Sequence, residues 1–308
     1  MHVHSDASDG TDPPAEVMRR AAAAGLDVIA LTDHDTTAGW DEARNALPGG
    51  LTLVPGMELS CLLDGRSVHL LAYLFDPANE ELSEQTSLIR DDRVHRARQM
   101  VAKLNDLGAA VTWEQVTRIA TSSGGTTPPQ RLPGGHPPDP RTPGGKAARD
   151  AVVGRPHIAR ALAEAGVVES PADAFTKEWI DDGGRAYMER YALPVDRAIR
   201  LVRAAGGVAV LAHPRSPGYE VSDEAIAGLA AVGLAGVEVF HPDHDSSERI
   251  NLTALARTLS LVSTGGSDDH GSFTPSAAAE RGAGGIGSET TPEDQYELLI
   301  AGAASRYA

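Results

Sequence analysis

The chain has little cysteine, few aromatic residues, no long apolar run and a deficit of basic charge. A single cysteine, Cys61, stands among 308 residues. That excludes an internal disulfide and predicts a reducing, cytoplasmic setting, with the thiol itself a small buried hydrophobe. Aromatic residues are 4% of the chain against 41% apolar overall, so the core is expected to be rich in Ala, Val and Leu. No stretch approaches the roughly 20 apolar residues of a membrane-spanning helix, and no basic-plus-apolar leader is read at the start. Lys and Arg number 27 against 43 Asp and Glu, a formal charge of −16. This balance works against long duplex nucleic acid, whose binding depends on cations set against phosphates. A small phosphorylated substrate stays compatible, because bound divalent ions reverse the field locally. No obligate protein partner is evident.

What the chain does have is histidine and carboxylate at the ends of apolar runs. His2 and His4 flank Val3, so on an extended segment both imidazoles face one side, and Asp9-Gly10 lies in a polar turn able to fold back toward them. Val28 to Thr32 discharges into Asp33-His34-Asp35, and Leu51 to Met57 ends at Glu58. Val208 to Ala212 ends at His213-Pro214, and Leu259 to Thr264 leads into Gly266-Ser267-Asp268-Asp269-His270. Strands that end in such residues are how parallel α/β barrels assemble a site at one face. Neutral imidazoles mixed with carboxylates suit first-row divalent metals.

A Pro-started, Gly-stopped helix is predicted over 14–24, followed by short βαβ connections to about Phe75. A long charged helix runs through Asp91 to Val101, in which His95 reads as a solvated residue, and Trp113 to Ile119 forms another helix. Thr121 to Lys146 is dense in Gly, Pro, Ser and Thr and is expected to be a disordered loop, with His136 in it carrying no role. Helices follow at Pro156 and around Ala172 to Ile180. The α/β rhythm then resumes with helix 195–205, strand 207–212, helix 222–232, strand 235–240, helix 246–258 and strand 259–264, and Thr291-Pro292 caps a last helix. The expected organisation is a discontinuous barrel domain, 1–77 and 191–308, interrupted by a small helical insertion, 78–190, that acts as a lid.

These motifs, namely His2-Val3-His4, Ser8-Asp9-Gly10, Thr32-Asp33-His34-Asp35, Gly56-Met57-Glu58, His69, Ala212-His213-Pro214 and Gly266 to His270, resemble the PHP (polymerase and histidinol phosphatase) superfamily of metal-dependent phosphoesterases. The insertion, with Gly154-Arg155-Pro156-His157 at a helix start, resembles the branch acting on nucleoside 3′,5′-bisphosphates and short RNA 5′ ends. The resemblance implies an α/β fold, a distorted (β/α)7 barrel holding two to three divalent ions, Mn²⁺ foremost with Fe²⁺ or Zn²⁺ as alternatives. It implies that His2, His4, Glu58 and Asp268 hold the first ion, that Glu58 bridges to a second completed by His69 and His213, and that Asp9, His34 and His270 hold a third. Relatives carry residues before the His-x-His pair that form a first strand. Here His2 follows Met1, so that strand is expected to be truncated or to begin upstream.

The chemistry expected of such a site is in-line attack on phosphorus by a metal-bridging hydroxide. Arg155 is placed to clamp a phosphate bidentately and His157 to donate a hydrogen bond or proton to it. Arg215 and His241 are further substrate-binding candidates, with His244 nearby. Asp33 and Asp35 are expected to orient imidazoles, and Asp6 and Asp269 to be exposed neighbours. Trp40, Tyr73, Tyr187 and Tyr191 read as core residues. Two other functions compete: a phosphomonoesterase for a non-nucleotide such as histidinol phosphate, and a non-catalytic metal-binding regulatory module.

Overall fold

The computed structural model describes residues 1–122, 153–217, 220–271 and 285–304. Most of the predicted 121–146 loop, including His136, lies outside the described residues. Its first two residues instead close a helix.

Helix α1 (Pro14–Ala23) begins on the predicted Pro pair and leads to strand β1 (Val28–Leu31), helix α2 (Trp40–Asn45), and strands β2 (Thr52–Leu63) and β3 (Arg66–Tyr73). β2 and β3 are joined by Asp64-Gly65, both at positive φ (49° and 77°), the two-residue turn that Asp-Gly favours because its twist matches the strands. Such a turn permits only antiparallel pairing. β2 therefore does not end at Glu58 but runs on past it, and β3 lies antiparallel to β2 and to β5 (Val208–Leu211). The predicted uniform βα rhythm is broken at this point. The remaining contacts, β1 with β2, β5 with β6 (Gly236–Phe240) and β6 with β7 (Val262–Gly265), are parallel. The sheet order is β1-β2-β3-β5-β6-β7, with the short β4 (Leu193–Pro194) on β2.

No full N-terminal strand closes a barrel among the described residues. An extended segment spans the two outer strands instead. Thr32 N–H donates to Val3 O at 3.0 Å on the β1 side, and His4 N–H donates to Asp269 O at 2.9 Å on the β7 side. The fold is thus mixed α/β, with its curled sheet joined edge to edge by three residues.

Helix α3 (Glu80–Asp106) leaves this body, followed by α4 (Trp113–Ser122), α5 (Arg155–Glu164) and a 3₁₀ turn at Pro171–Ala174; α6 (Val195–Ala204), α7 (Asp223–Val232), α8 (Ser246–Leu259) and α9 (Glu293–Ala304) return to the sheet. α8 runs one residue beyond the expected end and stops on Ser260 in the left-handed region (φ 56°), so β7 starts later than predicted. Two apolar cores result. One lies between the sheet and α1, α2, α6, α7 and α8. The other gathers Met100, Leu104, Val116, Ile158, Leu162 and Ile180 of the inserted segment. α3 belongs to both, with Leu82 and Ile89 in the first and Ala97 and Met100 in the second. His95 is exposed as expected, but the same helix buries Arg93 and Arg96.

Candidate metal centre

The N-terminal segment presents His2 and His4 to one side, their Nε2 atoms 3.2 Å apart. The turn after it is anchored by Asp33, whose carboxylate accepts from Ser5 N–H, Ser5 Oγ–H and Ser8 Oγ–H, each at 2.7 Å. That fold-back brings Asp9 Oδ1 to 3.3 Å from His270 Nε2, and Asp9 Oδ2 to 3.7 Å from His34 Nε2.

Glu58, in the middle of β2, is the hub. Its Oε1 lies 2.8 Å from His69 Nδ1 and 3.1 Å from His213 Nε2. Its Oε2 lies 3.3 Å from His2 Nε2, 3.2 Å from His4 Nε2 and 3.1 Å from His34 Nδ1. Asp268 Oδ1 completes the far side, 3.2 Å from His2 Nε2 and 3.1 Å from His4 Nε2. Three overlapping sets arise, each with ligand atoms within 4.8 Å of one another: His2, His4, Glu58 and Asp268; His4, Asp9, His34 and His270; and His34, Glu58 and His69. All nine residues expected to hold metal come together. The grouping is tighter than expected, since His4 and His34 are each shared between two sets and His213 joins through Glu58.

The donor set fits divalent ions. Glu58 Oε2, Asp268 Oδ1 and the Nδ1 atoms of His34 and His69 are buried without a hydrogen-bond partner among the described residues. Each such atom costs about 1–3 kcal/mol if nothing is bound to it. Donors sharing one ion at about 2.1 Å sit roughly 3.0–3.4 Å apart, the spacing seen here. Electrostatics agree. Burial pushes the Glu58 carboxyl up, yet His34, His69 and His2 together hold it well below the usual carboxylate range. Asp268 and Asp9 are held down in the same way against burial, chiefly by His2 and by His34. The carboxylates are therefore ionised at neutral pH and available to a cation.

Glu238 was not anticipated. It is fully buried in the apolar strand β6, accepts from His2 Nδ1–H at 3.1 Å, and takes the His213 backbone N–H at 2.9 Å. The first bond puts the His2 lone pair on Nε2, facing the centre. The second holds a residue whose backbone is strained, since His213 has φ 26°. The signal for it was available: one acid at an inward position of an otherwise apolar strand.

The other expectations divide. His241 is buried, with Nε2 3.4 Å from Asp268 Oδ2, so it faces the centre. His244 is spent on structure, bonding Val239 O and the Arg215 N–H. Arg215 pairs with Asp223 on α7. Asp33 and Asp35 orient backbone and hydroxyl groups rather than imidazoles, Asp35 accepting from Ser60 N–H at 2.7 Å. Asp269 is not an exposed neighbour but is 2% exposed and paired with Arg20. Asp6 is half-buried rather than exposed. Trp40 and Tyr73 are buried, whereas Tyr187 borders a cleft and Tyr191 is 40% exposed.

The Gly154-Arg155-Pro156-His157 start of α5 separates its two polar side chains. His157 is fully buried and its Nδ1 accepts from Gly154 N–H at 3.0 Å. Nε2 therefore carries the proton, and among the described residues it has no partner. Arg155 points instead into the cleft and pairs with Asp182 at 2.7 Å. Burial pushes the His157 pKa down to about 4 despite the pull of Asp9. Because the unfolded pKa is near 6.5, the unfolded chain takes up this proton first on acidification. Stability should be intact above pH 6.5 and fall as pH drops toward 4, by about 3 kcal/mol from this group. His157→Asn keeps the Gly154 acceptor and should flatten that loss. Urea midpoints of metal-free wild type and variant at pH 7.0 and 4.5 decide it; equal acid sensitivity would refute the assignment.

Comparison with known proteins agrees with a metal-dependent hydrolase of phosphoric esters. Residues 1–105 match the PHP domain model. A 5′-3′ exoribonuclease of Haemophilus influenzae is 30% identical over 88% of this chain and 89% of its own length. A 3′,5′-nucleoside bisphosphate phosphatase of Chromobacterium violaceum is 30% identical over 88% of this chain and 86% of its own. A crystal structure from Bifidobacterium adolescentis, described as a candidate metal-dependent phosphoesterase, superposes with a TM-score of 0.82 at 33% identity, covering 98% of this chain and 94% of that one. The chain belongs to the PHP superfamily.

Proposed function

We propose that the protein removes the 3′-phosphate from nucleoside 3′,5′-bisphosphates, leaving the 5′-monophosphate, and that it also trims short RNA from the 5′ end. The observation that carries this is the pairing of a cluster of eight His, Asp and Glu side chains grouped for metal, joined by His213 through Glu58, with a separate arginine-lined cleft. A simple monoester needs only the first. The names of the two relatives at 30% identity support the nucleotide class over a histidinol-phosphate-type monoester, and the complete ligand set speaks against a non-catalytic module.

In this proposal His2, His4, Glu58 and Asp268 hold one ion, Glu58, His69 and His213 a second, and Asp9, His34 and His270 a third. Bound divalent ions there acidify water and neutralise phosphate oxygens. The carboxylate of Asp9 among the imidazoles favours Mn²⁺, with Fe²⁺ or Zn²⁺ as alternatives. The chain's own groups supply orientation. His157 is neutral at pH 7 and presents Nε2–H, so it acts as a hydrogen-bond donor to a phosphate oxygen rather than as a proton source. His241, against Asp268, is placed to contact the leaving side. The inserted helices form a lid that limits entry to small or single-stranded substrates. With one buried cysteine, the protein is assigned to the cytoplasm.

Phosphate release from adenosine 3′,5′-bisphosphate by Mn²⁺-loaded protein tests the reading, with AMP, histidinol phosphate and a short 5′-phosphorylated RNA alongside. Fast release from the bisphosphate with AMP left intact is expected, and mononucleotides from the RNA establish the exonuclease role. Turnover of histidinol phosphate alone would discard the nucleotide substrate.

A further inference from the structure

His2 and His4 sit on a short extended segment that bridges β1 and β7 around Val3. Its two edges are fixed differently. On the β7 side the bonds run main chain to main chain: Asp268 N–H donates to His2 O and His4 N–H to Asp269 O, each at 2.9 Å. A parallel ladder would use only main-chain groups on the β1 side as well. There, however, a side chain makes half of the connection. Thr32 Oγ1 accepts from Val3 N–H at 3.0 Å and donates its own proton to Val3 O at 2.9 Å, while Thr32 N–H donates to the same oxygen. Both main-chain groups of the residue between His2 and His4 are thus taken by Thr32.

Thr32 also reaches the hub. Its carbonyl accepts from Glu58 N–H at 3.1 Å. One residue therefore holds the backbone behind His2, His4 and Glu58, three members of the set that Asp268 completes. Packing sets its rotamer. Thr32 is fully buried, and its methyl occupies the space left by the missing side chain of Gly56, where a Cβ would come within 2.9 Å of Thr32 Cγ2. With Cγ2 seated against Gly56, χ1 is fixed and Oγ1 is left facing Val3. A threonine that only fills a core has no need of a double hydrogen bond to a segment 29 residues away.

We infer that Thr32 is a positioning residue for the metal centre: its hydroxyl sets how far the His2–His4 segment stands from Glu58, and its methyl on Gly56 aims that hydroxyl. The inference rests on the proposed assignment of His2, His4, Glu58 and Asp268 to one ion. Ligand distances in such a site tolerate about 0.2 Å. A methyl carbon keeps about 3.5 Å or more from a neighbouring heavy atom, whereas Oγ1 stands 2.9 Å from Val3 O. Thr32→Val therefore displaces the segment by more than the site tolerates and leaves Val3 N–H without its acceptor. Thr32→Ser keeps the hydroxyl and loses only the methyl seat.

Mn²⁺ alone is the probe, with the free ion counted by its EPR signal in titrations of the metal-free proteins. Thr32→Val should hold one ion about 10–100-fold more weakly than wild type, the scale of losing a partner behind a metal ligand, and Thr32→Ser should recover most of that loss. Thr32→Ala removes the same hydroxyl without adding a methyl and should weaken binding too, which covers a Thr32→Val chain that does not fold. Leu252→Ala, a cavity in the apolar core on α8, should melt lower and bind Mn²⁺ like wild type. His2→Ala is the reference and should lose that ion outright. Wild-type affinity in Thr32→Val and Thr32→Ala beside an ion lost in His2→Ala overturns the positioning role and leaves the ligand assignment standing. Thr32→Ser as weak as Thr32→Val, or an equal loss in Leu252→Ala at matched melting temperature, also overturns it, because the hydroxyl would then do no more than stabilise the fold. His2→Ala that keeps every ion defeats the ligand assignment and the inference with it.

Discussion

Glu58→Gln should lower phosphoesterase turnover roughly a thousandfold or more, the scale on which loss of a central charge-stabilising group acts. One oxygen of Glu58 lies between His69 and His213, and the other is within 3.3 Å of His2, His4 and His34. The amide keeps one acceptor but turns the other into an NH₂ group aimed at imidazole lone pairs, where it can neither ligate nor avoid repelling an ion. Both neighbouring metal sets are damaged together. Metal analysis after dialysis should therefore show more than one ion lost per chain, whereas His69→Ala should lose at most one. Wild-type turnover in Glu58→Gln, or equal metal loss in the two variants, would remove Glu58 from the bridging position.

The second large effect is expected at a residue no ion would touch. Glu238→Gln preserves shape and burial, and its amide oxygen can still accept from His213 N–H. The amide NH₂ must then donate to His2 Nδ1, which moves the imidazole proton onto Nε2 and blocks the lone pair facing Glu58 and Asp268. Metal affinity and activity should fall about 10–100-fold. Burial pushes the Glu238 carboxyl up, but His2 brings it down to about 2, so the wild-type group is an anionic acceptor throughout the working range. Metal titration of both proteins provides the check, with the metal-free melting temperature as control. Unchanged affinity would mean that His2 is oriented by something other than this bond.

The nine clustered His, Asp and Glu positions were legible because metal chemistry restricts the residue types and because most of them follow apolar runs. His2, His34, His213 and Asp268 could be placed from the local string alone. Glu58 was found for a partly wrong reason. It looked like a strand end, yet β2 continues to the Asp64-Gly65 turn, and that turn, not a βα unit, reverses the chain and delivers His69. Long-range pairing was the missing information. Glu238 and Arg96 were harder still. A charged residue in a strand or on a charged helix has the same letters whether it faces solvent or a buried cluster, and only the packing of β6 and α3 decides. Arg155 and His157 show the same limit, since residues two apart at a helix start diverge by roughly 200° around its axis.

α3 carries its first half in the core beneath the sheet and its second half in the core of the inserted segment, and between them Arg90 holds Asp35 O at 2.6 Å while Arg93 holds the Asp35 side chain. Asp35 in turn grips Ser60, opposite His69 on the paired strand. Fraying of the inserted segment thus draws on the same helix that pins a ligand-bearing strand. If ions are held there, loosening the inserted segment is expected to weaken their hold as well, and a partly melted molecule would then lose activity rather than linger as an enzyme with a loosened specificity.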